Sequence, residues 1–173
     1  NEHVLSTASK DTTVLHNDVR VQQAVTHRLA AHSQEVCGLQ WSPDGRTLAS
    51  GGNDNMVCLF DAATSTPRHT LTEHHAAVKA LAFCPWQRDL LATGGGTACR
   101  QIKFWNTATG ACLNSVDTGS QVSSLVWSQS ATCRELVSSH GYPNNNLTVW
   151  NYPRLTSAAQ LLGHDQRVLQ MAA

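Results

Sequence analysis

No stretch of the sequence approaches the ~18 consecutive apolar residues of a membrane-spanning helix. The opening Asn-Glu-His-Val-Leu lacks the basic stretch and apolar run of a signal peptide. An excess of charge is missing too, since 12 Lys and Arg balance 12 Asp and Glu. Without a basic face there is no electrostatic footprint for nucleic acid or an anionic membrane. The six cysteines (Cys37, Cys58, Cys84, Cys99, Cys112 and Cys133) form no Cys-x-x-Cys pair, and several lie inside apolar runs. That usage suits reduced, strand-buried thiols. These absences predict a soluble protein of the cytosol and nucleus, a single domain of 173 residues with room for a sizeable core.

Signatures of catalysis are equally scarce. His3, His69 and His140 lie near no Cys or acid at metal-ligand spacing, and His74 and His75 are merely adjacent. Gly94-Gly95-Gly96 is followed by a strand pattern, Ile102 to Trp105, with no helix start and no Gly-Lys-Ser to meet a phosphate. There is no Gly-x-Ser-x-Gly elbow. The expectation is no catalytic residue, no metal and no cofactor.

What the sequence does contain is a repeat. From Val36 to Asp61 it reads as an alternating strand, a Pro43-Asp44-Gly45 turn, a strand, a Gly-Gly-Asn-Asp-Asn turn and a closing strand. The pattern Val36/Leu39/Trp41 returns as Val78/Leu81/Phe83 and Val122/Leu125/Trp127, and Val168/Met171 begins it again. The leading valines are 42, 44 and 46 residues apart, a spacing that fits the ~40–45 residues of a four-stranded propeller blade. Closing dipeptides recur at Asn17-Asp18, Phe60-Asp61, Trp105-Asn106 and Trp150-Asn151, variants of the Trp-Asp ending of a WD repeat. The predicted fold is an all-β, partial WD-repeat β-propeller spanning 1–173. Its segments are about 1–30, 31–72, 73–116, 117–162 and 163–173: three whole blades with broken ones at both ends.

In such a blade a His, a Ser or Thr, an Asp and a Trp join in a buried hydrogen-bonded chain. Four residues before the leading valines stand His32, His74, Thr118 and His164; before the closing strands stand Asp11, Asp54, Cys99 and Asn144. The second blade would use His32, Ser50 and Asp54, with Phe60 replacing the Trp. The third would use His74, Thr93 and Trp105, with Cys99 where the Asp belongs. The fourth would use Ser138, Asn144 and Trp150, with Thr118 for the His, and His164 would open a fifth. Incomplete networks stabilise less, so the third and fourth blades are expected to be less rigid. A partial ring also leaves blade faces uncovered, so a chain ending here should be poorly soluble or need a partner.

The turns before each first strand and between the second and third strands should share one face, near the central channel. Just before the leading valines the residues vary: Glu35, Ala77, Gln121 and Arg167. With the turns Asn53-Asp54-Asn55 and Thr97-Ala98-Cys99, this predicts a polar cluster of Asn53, Asn55, Thr97, Gln121 and Arg167, either a grip for a short peptide or ordinary solvated loops. Trp86, out of repeat register, is either a contact anchor or a cover for the blade edge.

Longer strings resemble the Fizzy family, activator and substrate-receptor subunits of the anaphase-promoting complex. They are His-Ser-Gln-Glu-Val-Cys-Gly-Leu (32–39), Ser-Gly-Gly-Asn-Asp-Asn (50–55), Cys-Pro-Trp-Gln (84–87), Leu-Ala-Thr-Gly-Gly-Gly-Thr (91–97), Asp-Thr-Gly-Ser-Gln-Val (117–122) and Glu-Leu-Val-Ser-Ser-His-Gly-Tyr (135–142). Cys-Pro-Trp-Gln and Gly-Ala-Cys-Leu-Asn-Ser-Val-Asp (110–117) are more similar to the mitotic branch. The resemblance implies a seven-bladed ring of which this chain covers roughly the third blade to the start of the seventh. It implies a non-catalytic adaptor that binds degrons on substrates and pseudo-substrate inhibitors and promotes ubiquitin-dependent proteolysis in mitosis. Lys-Glu-Asn degrons would sit on the channel face against Asn53, Asn55, Thr97, Gln121 and Arg167. The destruction-box groove, between first and last blades, and the tails that dock onto the complex are not expected here, so this chain alone should not activate the ligase. One departure stands out: the family places Asp-Arg where this sequence has Cys99-Arg100. It leaves a second reading, a WD-repeat scaffold or diverged paralogue without degron binding.

Overall fold

The computed structural model describes residues 3–172; Asn1, Glu2 and Ala173, at the outer edges of the terminal segments, lie outside it. The described residues form fifteen β-strands in four antiparallel sheets and no helix, so none contains a helix long and apolar enough to cross a membrane. The first sheet has three strands: β1 (Val4–Ala8), β2 (Thr13–Asp18) and β3 (Val25–Ala30). The next has four, β4 (Val36–Trp41), β5 (Thr47–Gly52), β6 (Val57–Asp61) and β7 (His69–Leu71). The third is β8 (Val78–Phe83), β9 (Leu90–Gly95), β10 (Gln101–Asn106) and β11 (Cys112–Asp117). The last is β12 (Val122–Trp127), β13 (Glu135–His140), β14 (Leu147–Asn151) and β15 (Thr156–Leu161). Each sheet is a meander whose neighbours in sequence are neighbours in space, as the tight Gly and Asn turns dictate.

Val36, Val78 and Val122 each begin the first strand of a sheet. All three of these strands carry the same register shift just after the valine, at Cys37, Lys79 and Ser123. A bulge adds local twist, and its recurrence makes the blades equivalent in shape as well as sequence. Apolar residues of adjacent sheets fill the gaps between blades. Val14, Leu29, Val36, Leu48, Cys58 and Phe60 join the first sheet to the second. Leu59, Leu71, Val78, Phe83, Leu91 and Trp105 join the second to the third, and Ile102, Phe104, Val122, Trp127, Leu136 and Trp150 join the third to the fourth. The second strands β5 and β9 are buried along their whole length because both their faces meet a neighbouring sheet.

Close blade approach depends on glycine at one repeated position. A Cβ on Gly51 would overlap the Val78 carbonyl, and one on Gly94 would overlap the Val122 side chain. In the fourth sheet the corresponding residue is Ser139, whose Oγ donates to the Val168 carbonyl at 3.1 Å. Val168 also donates its N–H to His140 O at 3.1 Å. So residue 168 docks where a leading valine docks in the other blades. It does not begin a strand as the repeat predicts, because no strand among the described residues pairs with it to complete a ladder.

Candidate functional site

Beneath the turns of the channel face lie three buried networks, one in each four-stranded blade. In the second sheet, His32 Nε2 lies 2.7 Å from Ser50 Oγ, and its Nδ1 lies 3.0 Å from both Asp54 oxygens. Asp54 also accepts from the N–H groups of Ser33 (2.9 Å) and Met56 (3.2 Å). Burial pushes the Asp54 carboxyl up, but those donors and His32 outweigh it and hold it below its ordinary value. Phe60 supplies no indole, so Ser50 lacks the third member.

In the third sheet His74 Nε2 meets Thr93 Oγ1 at 2.7 Å, and Trp105 Nε1 donates to the same hydroxyl at 2.8 Å. Cys99 Sγ occupies the carboxylate's place, 3.2 Å from His74 Nδ1. Burial, followed by the positive charge of Lys103, pushes His74 down to about 4.

The fourth sheet departs from the predicted arrangement. Trp150 Nε1 donates to Ser138 Oγ at 2.7 Å, but the imidazole on that hydroxyl is His140, whose Nε2 lies 2.7 Å away. Thr118 does not take the histidine's role; its hydroxyl engages the carbonyls of Arg100 and Ser120. Asn144 is exposed and reaches only the Thr118 carbonyl at 3.5 Å. His140 occupies the strand position held by Gly52 and Gly95 in the other blades. There a Cβ would strike His32 Nδ1 at 2.6 Å or His74 Nδ1 at 2.9 Å. The side chain from this position therefore fills the space that a loop histidine fills elsewhere. His140 is 1% exposed, and burial pushes it down to about 4. Its Nδ1 has no partner among the described residues. His164 is exposed rather than part of a buried network, because no described blade covers it.

The networks fix the turns, and backbone hydrogen bonds fix the turns to the neighbouring loops. Asn53 N donates to Glu35 O (2.8 Å), Gly96 N to Ala77 O (2.9 Å) and Gly141 N to Gln121 O (3.0 Å). Thr97, Gln121 and Arg167 consequently line one cavity of about 570 Å³ on this face. Thr97 and Gln121 approach at 3.5 Å through Oγ1 and Oε1. Gly141 packs between Gln121 and Arg167, where an added Cβ would lie 3.0 Å from Gln121 Oε1 and 3.5 Å from Arg167 Cβ. Arg167 is exposed and makes no ion pair among the described residues. Asn53 and Asn55 do not line the cavity. They sit on the β5–β6 turn, where Asn53 Nδ2 donates to Glu35 Oε2 at 2.7 Å and Lys10 Nζ stands 3.4 Å from Glu35 Oε1.

Sequence reasoning passed over Tyr142, Pro143 and Asn145, which line the same cavity. The signal available was register: they occupy the turn after β13 as Asn53–Asn55 occupy the turn after β5. Trp86 joins two blades. Its Nε1 donates to Ser128 O at 3.1 Å, its ring meets Trp127 edge-on at 5.5 Å, and Arg134 stacks over it at 5.7 Å. A second cavity, about 450 Å³, opens beside it on the opposite face. No group of three or more His, Cys, Asp or Glu among the described residues is placed to hold a metal ion.

Residues 1–173 match the family described as CDC20/Fizzy WD40 domain. The chain is 54% identical over 178 residues to cell division cycle 20.1, cofactor of APC complex, of Arabidopsis thaliana. It is 56% identical over 175 residues to anaphase-promoting complex subunit cdc20 of Dictyostelium discoideum. Each alignment covers 99% of this chain but only 38% and 35% of those relatives, so the chain spans little more than a third of their length. A chain in the crystal structure of a mitotic checkpoint complex superposes with a TM-score of 0.93 at 54% identity, covering 98% of this chain and 52% of that one.

Proposed function

The chain belongs to the CDC20/Fizzy WD40 family, and from that premise we propose that its channel face holds degron peptides for the anaphase-promoting complex. In this reading it is part of a non-catalytic activator and substrate receptor that acts in the nucleus and cytoplasm and promotes ubiquitin-dependent proteolysis in mitosis. The same face receives substrates and pseudo-substrate inhibitors. The single observation that carries the reading is the convergence of Thr97, Gln121 and Arg167, from three successive repeat segments, on one cavity whose guanidinium makes no ion pair among the described residues.

A Lys-Glu-Asn peptide suits that chemistry. Arg167 presents a planar fork of donors to the Glu carboxylate. Gln121 and Thr97, with Asn53 and Asn55 on the adjoining turn, offer paired donors and acceptors to the Asn amide and the Lys end. Titrating a fluorescent Lys-Glu-Asn peptide into the intact protein tests this. Arg167→Ala is expected to weaken binding by about 10- to 100-fold, the loss of a charged hydrogen-bonded pair. Unchanged affinity would sink the proposal.

Cys99 favours a second reading, a scaffold propeller or diverged paralogue without degron binding, because it removes the acid beneath the turn that presents Thr97. An intact protein that joins the complex yet binds no degron would establish that reading instead.

A further inference from the structure

The cavity beside Arg167 has one apolar wall. Of the residues that line it, Tyr142 and Pro143 alone carry rings; Thr97, Gln121, Asn145, Asp165, Gln166 and Arg167 are polar or charged. Tyr142 is 79% exposed, an unusual setting for a large aromatic side chain. The turn that carries it is nonetheless tied down on both sides. Gly141 N donates to Gln121 O and Asn145 N to Gly141 O, at 3.0 and 2.9 Å. Asn145 Nδ2 reaches Asp165 O at 3.2 Å, and Asn144 Nδ2 reaches Thr118 O at 3.5 Å.

A ring held out on a pinned turn loses little freedom when something stacks on it, so contact there contributes to affinity at low entropic cost. Its neighbours in the cavity, Thr97, Gln121 and Arg167, are the residues assigned above to the degron tripeptide. A peptide seated on them must pass Tyr142 and Pro143 on one side.

We propose that Tyr142 and Pro143 form a flanking subsite that selects degrons carrying an apolar ring, proline or aromatic, next to the tripeptide. The subsite rests on the degron reading and deepens it: Arg167 and its partners recognise the tripeptide, and the Tyr142 platform discriminates among peptides that share it. Ring-on-ring contact at a partly wet surface discriminates by about 3- to 10-fold.

The test uses the intact protein and two labelled peptides with the same Lys-Glu-Asn core. One has Gly and Ser flanks; in the other a single proline or phenylalanine is walked through the flanking positions on each side. The expected result is one flank position at which the ring strengthens binding about 3- to 10-fold. Tyr142→Ala should abolish that gain, so that the ring-bearing and Gly/Ser peptides bind the variant equally, while Tyr142→Phe should keep it. No gain at any position, or a gain that survives Tyr142→Ala, would overturn the subsite while leaving the degron reading intact. If neither peptide binds the unaltered protein, the degron reading fails and the subsite with it.

Discussion

His140 Nε2 lies 2.7 Å from the hydroxyl of Ser138, two residues earlier on the same strand. In the two preceding blades the imidazole on the equivalent hydroxyl, Ser50 or Thr93, comes from a loop eighteen or nineteen residues away. The fourth blade thus reaches the same contact with a histidine of different sequence origin. This is possible because the receiving space lies between a loop position and a strand position, and either Cβ can fill it if the other side chain is small.

That relationship predicts a compensated exchange. His140→Gly should destabilise the intact protein by about 2–4 kcal/mol through a lost buried hydrogen bond and a cavity. Adding Thr118→His, which restores the loop arrangement of His32 and His74, should recover a substantial part of the loss in urea denaturation. A double variant no more stable than His140→Gly would disprove the equivalence.

The buried histidines also set a pH dependence. His74 and His140 are both held down to about 4 when folded, against about 6.5 when unfolded. Between those values the unfolded chain binds more protons than the native one. Stability therefore rises with pH across about 4 to 6.5 and is lost as pH falls through that window. Each residue contributes a limiting slope of about 1.4 kcal/mol per pH unit. Asp54 acts lower: its depressed carboxyl contributes stability above the usual carboxylate value, lost on further acidification. Denaturation midpoints measured from pH 7 to 4 should fall steadily, and the fall should be shallower in the His140→Gly, Thr118→His protein if the imidazole it restores is less deeply buried than His140.

Cys99→Asp should give His74 the acceptor that Asp54 gives His32. A thiol is a weak partner and a carboxylate a strong one, so a gain of about 1 kcal/mol in thermal stability is expected. His74 should titrate above its present value of about 4 in proton NMR. A lowered melting temperature with His74 unmoved would mean that the third blade has no room or donors for the acid.

Gly51→Ala probes the blade interface directly. Its Cβ would overlap the Val78 carbonyl, which is backbone and cannot rotate away. A loss of about 1–3 kcal/mol is expected from the overpacking, read as a shift in denaturation midpoint. No loss would show that the second and third blades can slide apart freely.

The architecture was legible in the sequence because propeller blades are local. Each is one meander whose strands, turns and leading valine fall within about 45 residues, and Val36, Val78 and Val122 each open a strand as their spacing predicts. The networks around His32 and His74 were legible for the same reason: each uses residues of a single repeat in fixed register. Register set Thr118 in the histidine's place and gave His140 no part in the network, because it counts positions and not volumes. The exchange of loop and strand roles appears only when the space around Ser138 is seen.

The sequence by itself determined that the chain is a run of propeller blades, since period-two strands, tight turns and a blade-length repeat admit little else. Only the tertiary structure decided how the variable rim residues group. Thr97 of one blade, Gln121 and Tyr142 of the next and Arg167 beyond it line one cavity, whereas Asn53 turns to Glu35. Blade-to-blade packing sets those neighbours, and it depends on backbone overlaps at single glycines that no repeat pattern records.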